Sequence, residues 1–144
     1  SGALIVARHR TDLMSPDATV TKFDENAAGW DGQPGGPGYP HFRWMRRYVG
    51  CFAGKKNPKS ILDFGCGAGW CGIEAALASS QPTLCAFDPS PNMVQQAARN
   101  AHATGIGPFE GRTGFGEAPP FPTQDQEPFD LVISSGVISF SPDP

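Results

Sequence analysis

Seven residues, Asp63-Phe-Gly-Cys-Gly-Ala-Gly69, constrain this chain more than any others. They follow a short apolar run, Ser60-Ile-Leu-Asp-Phe64, and precede Trp70, Ile73 and Leu77 at helical spacing. The pattern predicts a strand, a glycine turn and a helix from Ala68 to about Ser79. Glycine at alternate positions of such a turn keeps each Cβ out of the path of a ligand. A dinucleotide fingerprint begun at Gly65 needs its third glycine at position 70, which is Trp70. A phosphate-binding Walker loop is excluded as well, because no Gly-Lys-Ser/Thr follows the turn.

The strand-then-helix alternation continues downstream. Thr83 to Phe87 reads as a second strand, and Asp88-Pro-Ser-Pro-Asn92 starts a helix with Ser90 as N-cap and Pro91 at its first position. That helix carries Met93, Val94, Ala97, Ala98 and Ala101 and stops by Gly105. Phe109 to Thr113 is a weak third strand, Gly114 to Pro128 a long proline-rich loop, and Phe129 to Ser134 a fourth strand apolar enough for burial on both faces. Such an order specifies an α/β fold: a Rossmann-like, mostly parallel sheet with flanking helices, binding ligands at the carboxyl ends of its strands near a switch in strand order.

Upstream, residues 1–37 are polar and turn-rich and end in Gln33-Pro-Gly-Gly-Pro-Gly38, which predicts a loosely packed entry to a domain spanning residues 38–144. From Tyr39, the spacing of Phe42, Met45, Val49 and Phe52 predicts an amphipathic helix closing near Gly54. Arg43, Arg46 and Arg47 fall mostly on its other, solvated side.

A length of 144 residues suits one domain, and 18 glycines with 15 prolines exclude a coiled coil. Eleven Lys and Arg against 14 Asp and Glu leave a net charge of −3, so bulk electrostatics recruit neither nucleic acid nor an anionic membrane. No apolar stretch approaches the roughly 18 residues of a membrane helix, and Ala3 to Ala7 is too short for a signal-peptide core. Cys51, Cys66, Cys71 and Cys85 form no Cys-x-x-Cys pair and read as reduced thiols of a cytoplasmic protein. With only His9, His41 and His102 to add, they make no recognisable zinc set, and no metal is expected.

Gly-x-Gly-x-Gly with an acid two residues before it resembles the first motif of the class I S-adenosylmethionine-dependent methyltransferases. Four further stretches extend the likeness. Asp88 ends the second strand, Glu117-Ala-Pro-Pro-Phe121 is similar to the family's segment after the third, Phe129-Asp-Leu-Val-Ile-Ser-Ser135 to its fourth, and Phe23-Asp-Glu-Asn-Ala-Ala-Gly-Trp-Asp31 to the opening of small-molecule members. The resemblance implies that Gly65, Cys66, Gly67 and Gly69 bend around the methionine part of S-adenosylmethionine, with Asp63 near its ammonium. It implies that Asp88 holds the ribose and that Pro89 and Ser90 flank the adenosine. Where many members offer an acid to adenine this chain has Phe115, which leaves the Gly116 N–H and Glu117 for that contact. Ser134, Ser135 and Gly136 would border the methyl group and substrate. Trp70, Cys66 and Cys71 read as packing side chains, and Tyr39 and His41 as capping or surface residues, with a lid over the site as their alternative role.

Methyl transfer needs two aligned reactants and no universal catalytic residue, so none is assigned. The fourth strand is followed by Gly136-Val-Ile-Ser-Phe140 rather than Asn/Asp-Pro-Pro-Tyr/Phe, which disfavours a DNA base and leaves a small-molecule acceptor. Against the family's seven strands, a chain stopping at Ser141-Pro-Asp-Pro144 looks truncated after the fourth. That strand would then be an exposed edge and a route to a homodimer. A catalytically inactive cofactor-binding module and an NAD-type oxidoreductase domain are the competing readings.

Overall fold

The computed structural model describes residues 15–29 and 40–135. The 37/38 domain boundary lies outside them, as do Ala3 to Ala7, Gln33 to Gly38, Trp30, Tyr39, the segment from Gly136 to Pro144, and the side chains of His41 and Arg43. In chain order the elements are α1 (Pro16–Asn26) with a 3-10 turn (Ala27–Gly29), α2 (Pro40–Gly54), β1 (Ser60–Phe64), α3 (Trp70–Leu77), β2 (Thr83–Asp88), α4 (Pro91–Thr104), β3 (Phe109–Thr113) and β4 (Leu131–Ser134). The strands form one parallel sheet in the order β3-β2-β1-β4. The chain steps outward from β1 through β2 to β3, then returns to the far side of β1 for β4, so the order reverses between β1 and β4. Parallel sheets open a ligand crevice at the carboxyl ends beside such a reversal.

Pairing of Ile61 with Leu84 and Leu131, and of Asp63 with Ala86 and Ile133, fixes which side chains share a face. Ile61, Leu84 and Ile133 pack against Cys71, Ile73, Ala75 and Ala76 of α3 and Ala101 of α4. Each such aliphatic side chain contributes about 1.5–3 kcal/mol on leaving water. The opposite face carries Leu62, Cys85 and Phe87, covered by Phe121 and Phe129 from the loop after β3. Phe121 is 1% exposed, with the Arg112 guanidinium 4.8 Å from its ring centre. The proline-rich stretch therefore works as a lid on the sheet.

Several expectations change. Helix α3 begins at Trp70, not Ala68, because Gly67 and Gly69 have φ of +51° and +86°, outside the helical region. Leu77, expected beside Ile73, is 52% exposed at the helix end. Strand β4 is not buried on both faces: Ile133 is inside, but Val132 is 58% exposed, because the loop lid reaches Leu62 and not its neighbour. Of residues 1–37, where the sequence predicts a loosely packed entry, residues 15–29 are described, and there α1 forms with Ser15 Oγ accepting from the Ala18 N–H, and Ala27 is buried against Ala68 and Met93.

Helix α2 is turned relative to its pattern. Met45, Val49 and Phe52 are 58%, 40% and 63% exposed, and the face against α3 is the small one, Gly50, Ala53 and Gly54. A Cβ on Gly50 would stand 2.3 Å from the Cys71 carbonyl oxygen, and one on Gly54 the same distance from that of Ala75. Close backbone approach, with Arg47 reaching Glu74 at 3.4 Å, decides the orientation over the apolar stripe. Alanine for glycine in a helix usually stabilises by about 1 kcal/mol. Here Gly50→Ala is expected to destabilise by about 1–3 kcal/mol, as overpacking does. A urea midpoint that stays or rises in that variant would show the two helices to be loosely apposed.

Candidate functional site

The glycine turn stands at the carboxyl end of β1, beside the reversal in strand order. Gly65, Gly67 and Gly69 all have positive φ, and Gly67 and Gly69 answer different demands. A Cβ on Gly69 would lie 2.9 Å from that of Ala97, so Gly69 serves the approach of α3 to α4. Nothing lies within 4 Å of a Cβ on Gly67, so its bare backbone faces open space. Gly67 can therefore present bare backbone to a ligand, whereas Gly69 is taken up by packing. The turn is pinned from behind: the Cys66 N–H donates to the Phe87 carbonyl at 2.9 Å, and Asn100 Nδ2 donates to that of Ala68 at 2.9 Å. The Cys66 side chain packs with Ala86 and Ala97, and burial pushes its thiol well above the ordinary range, so Cys66 offers the site its backbone only.

Asp63 is 1% exposed and points under α3, where its Oδ2 accepts from the Gly72 N–H at 2.9 Å. Gly69, the N-cap of α3, has no side chain to cap with, and Asp63 supplies the missing acceptor from the neighbouring strand. Burial, opposed by that N–H and by Arg46 and assisted by the Asp88 charge, pushes its carboxyl up to about 6. Asp63 thus shapes the turn from beneath.

Asp88 ends β2 with both oxygens engaged: Oδ2 accepts from the Gly67 N–H at 2.9 Å and Oδ1 from the Ser90 N–H at 3.0 Å. Burial raises its pKa, and these two donors hold the rise in check. Each oxygen keeps a further lone pair, and the side chain, 9% exposed, still reaches the surface. A carboxylate so placed can accept from two adjacent hydroxyls of a sugar. The Ser90 side chain is fully buried; it accepts from the Met93 N–H and donates to Asp24 Oδ1 at 2.7 Å, which leaves the backbone of Pro89 and Ser90 to line the site.

Asp24 is the residue that pattern reading missed. It also accepts from the Asn92 N–H at 2.9 Å and from Asn92 Nδ2 at 2.8 Å. Sixty-six residues separate it from Ser90, so no local spacing signals the contact.

The rim comes from two other elements. The Phe64 ring meets Phe87 edge-on at 4.7 Å, and a Cβ on Gly116 would fall 2.8 Å from it, so the Phe115–Ala118 turn rests on the end of β1. Glu117 is exposed at the tip of that turn, and Phe115 is 46% exposed. Ser134, opposite Phe64 in register, is exposed at the end of β4. The structure therefore gathers the turn, Asp88, Pro89, Gly116 and Ser134 at the carboxyl edge, and takes the side chains of Asp63, Cys66 and Ser90 into the support beneath. The open Gly67 backbone beside a carboxylate with spare acceptors fits a nucleoside carrying an extended polar tail. Among the described residues no three His, Cys, Asp or Glu side chains group as metal ligands, and no helix is long and apolar enough to cross a membrane.

A family model described as a methyltransferase domain matches residues 61–144. Among curated proteins, the trans-aconitate 2-methyltransferase of Streptomyces avermitilis is 32% identical over 89 residues, covering 60% of this chain and 31% of that protein. The chain thus spans about a third of this relative's length. Among solved structures, the O-methyltransferase TomG of Streptomyces achromogenes, in complex with S-adenosylmethionine, superposes with a TM-score of 0.56 at 18% identity over 80% of this chain and 52% of its own. The magnesium protoporphyrin IX methyltransferase of Synechocystis, with bound S-adenosylhomocysteine, gives 0.51 at 22% identity over 67% of this chain and 42% of its own. At these identities the two structures speak to the fold, which is shared.

Proposed function

Because the chain belongs to the methyltransferase-domain family, we propose that it carries the S-adenosylmethionine site of an enzyme that methylates a small molecule. The observation that carries this reading is the Gly67–Asp88 pair: an open, positive-φ backbone held at 2.9 Å by a carboxylate with lone pairs to spare. The curated relative, a trans-aconitate 2-methyltransferase, supports a small acceptor.

When bound, S-adenosylmethionine supplies an electrophilic methyl group. The chain's own part is placement. Asp88 takes the two ribose hydroxyls, and Gly67 lets the backbone close on the methionine part without a Cβ between. Gly116 offers its N–H at the adenine side, with Glu117 at the turn tip. Ser134, sharing a face with Phe64, borders the side from which an acceptor approaches. Holding two reactants in line lowers a barrier by several kcal/mol without any group changing its protonation.

Calorimetric titration with S-adenosylhomocysteine tests the site, since product binding needs no knowledge of the acceptor. A Kd in the micromolar range, about −8 kcal/mol, is expected, with NAD giving no heat. A folded sample that binds NAD and not S-adenosylhomocysteine would overturn the reading in favour of an oxidoreductase domain. Binding without turnover on any acceptor would make the chain a cofactor-binding module.

Three finer features belong to the same proposal. Residues 1–37 form an N-terminal segment and residues 38–144 the cofactor-binding domain. Free, buried Cys66, Cys71 and Cys85 support residence in the reducing cytoplasm. Two copies pair along β4, which among the described residues bonds only to β1 and shows Val132 to solvent. Light scattering that returns the mass of one chain at every concentration would exclude that pairing.

A further inference from the structure

The amino end of α4 is held from outside the helix. A helix leaves its first N–H groups without intrahelical partners, and its N-cap side chain ordinarily satisfies one of them. Ser90 does so for Met93 at 3.1 Å, and Asp24 of α1 satisfies the next, accepting the Asn92 N–H on Oδ1. The same oxygen accepts a hydrogen bond from the Ser90 hydroxyl at 2.7 Å, which commits the Ser90 lone pairs to the cap. Asn92 Nδ2 completes the clamp, donating to Asp24 Oδ2 and to its carbonyl.

From Ser90 the line continues into the site, through the Ser90 N–H to Asp88 Oδ1 and from Asp88 Oδ2 to the Gly67 N–H. A second link runs parallel to it. Ala27, in the turn after α1, is buried between Ala68 of the glycine turn and Met93 of α4, with Phe23 and Trp70 at the edges. Helix α1 and the turn after it therefore touch both walls of the site, by the Asp24 carboxylate on one side and the Ala27 methyl group between them.

We propose that Asp24 is a positioning residue: by clamping Ser90 and Asn92 it fixes the Asp88 carboxylate against Gly67, so that docking of α1 sets the geometry of the cofactor site. It acts through its bonds to Ser90 and Asn92 at the amino end of α4. The effect on cofactor affinity rests on the function proposed above; the effect on the free protein does not.

Amide hydrogen exchange on the ligand-free chain reads the clamp. Asp24→Ala removes the partner of the Asn92 N–H under any reading. The proposal requires more: exchange at Ser90 and Gly67 should also quicken about tenfold relative to the α3 core, the factor of one lost hydrogen bond. Ile106→Ala, in the core away from this network, supplies a comparison variant of lowered stability in which the Ser90 and Gly67 ratios stay as they are. Acceleration confined to α1 and Asn92 would overturn the proposal and leave Asp24 a local anchor. Asp24→Asn keeps one acceptor oxygen and should show the same pattern at smaller amplitude; if Asp24→Ala does not fold, absence of the pattern in Asp24→Asn overturns the proposal. With S-adenosylhomocysteine, Asp24→Ala should bind about five- to tenfold more weakly, in line with that lost bond. Quickened Ser90 and Gly67 exchange in a chain that never binds the ligand would leave the clamp standing and the functional reading fallen. Ligand binding with unchanged exchange would do the reverse.

Discussion

Replacing Asp88 by alanine is expected to weaken S-adenosylhomocysteine binding at least about a hundredfold, because two hydroxyls lose a charged acceptor worth about 1.5–3 kcal/mol each. The same change leaves the Gly67 and Ser90 N–H groups without their partner, so it also costs about 1–3 kcal/mol of stability for each group that water fails to reach. Asp88→Asn separates the two effects. An asparagine turns one acceptor into a donor, facing either the Gly67 or the Ser90 N–H with like polarity, and it can accept from only one sugar hydroxyl. Its affinity should therefore remain far below that of the parent, while the turn, still bonded through one oxygen, keeps more of its stability than in the alanine variant. Calorimetry and urea unfolding on the two variants give both quantities. Undiminished affinity in a folded Asp88→Ala chain would remove Asp88 from the site.

The second large effect concerns the pH dependence of stability, and its sign is opposite to the usual one for a carboxylate. Asp63 titrates at about 6 in the folded chain against 3.8 without the protein around it, first because it is buried. Below both values it is protonated in the folded and unfolded states alike, and it imposes no penalty. Between about 4 and 6 the unfolded chain releases the proton while the folded chain keeps it, so stability falls as pH rises through this window and levels off above it. The difference amounts to about 3 kcal/mol at neutral pH. Asp88, raised by burial as well, acts in the same direction.

Asp63→Asn, which keeps an acceptor for the Gly72 N–H and carries no charge, is expected to raise the melting temperature at pH 7. At pH 4, where Asp63 itself is neutral in the fold, that advantage should disappear. An asparagine variant less stable than the parent at pH 7 would mean that the ionised Asp63 is paid for by its neighbours, with Arg46 the nearest candidate for that compensation. The acceptor for the amino end of α3 comes from β1, so the glycine turn itself needs no capping side chain.

Much of the local geometry of the candidate site was legible in the order of residues alone, and the reason lies in range. A positive φ at Gly65, Gly67 and Gly69, an N-cap at Ser90 before Pro91 and a stop at Gly105 are satisfied within a few residues of themselves, so their chemistry shows in adjacent letters. The alternation of strands and helices follows from the same local rules, and with it the α/β class and the place of Asp88 at a strand end. The existence and chain order of the four strands were thus legible without coordinates; their order in the sheet was not.

What needed them are the contacts whose partners lie far along the chain. Apolar spacing in α2 pointed Met45, Val49 and Phe52 inward, and the closer fit of Gly50 and Gly54 against α3 turned them out. Phe121 was one aromatic in a proline-rich loop until the sheet face it covers was in place. Asp63 became the cap of a helix that starts seven positions later, and Asp24 the clamp of one that starts sixty-seven positions later. A hydrogen bond of that range leaves no periodicity to read, because only the packing of α1 on α4 brings its two ends within 3 Å. Local geometry selects the elements of this protein; the free energy of closing them on one another assigns each buried carboxylate its partner.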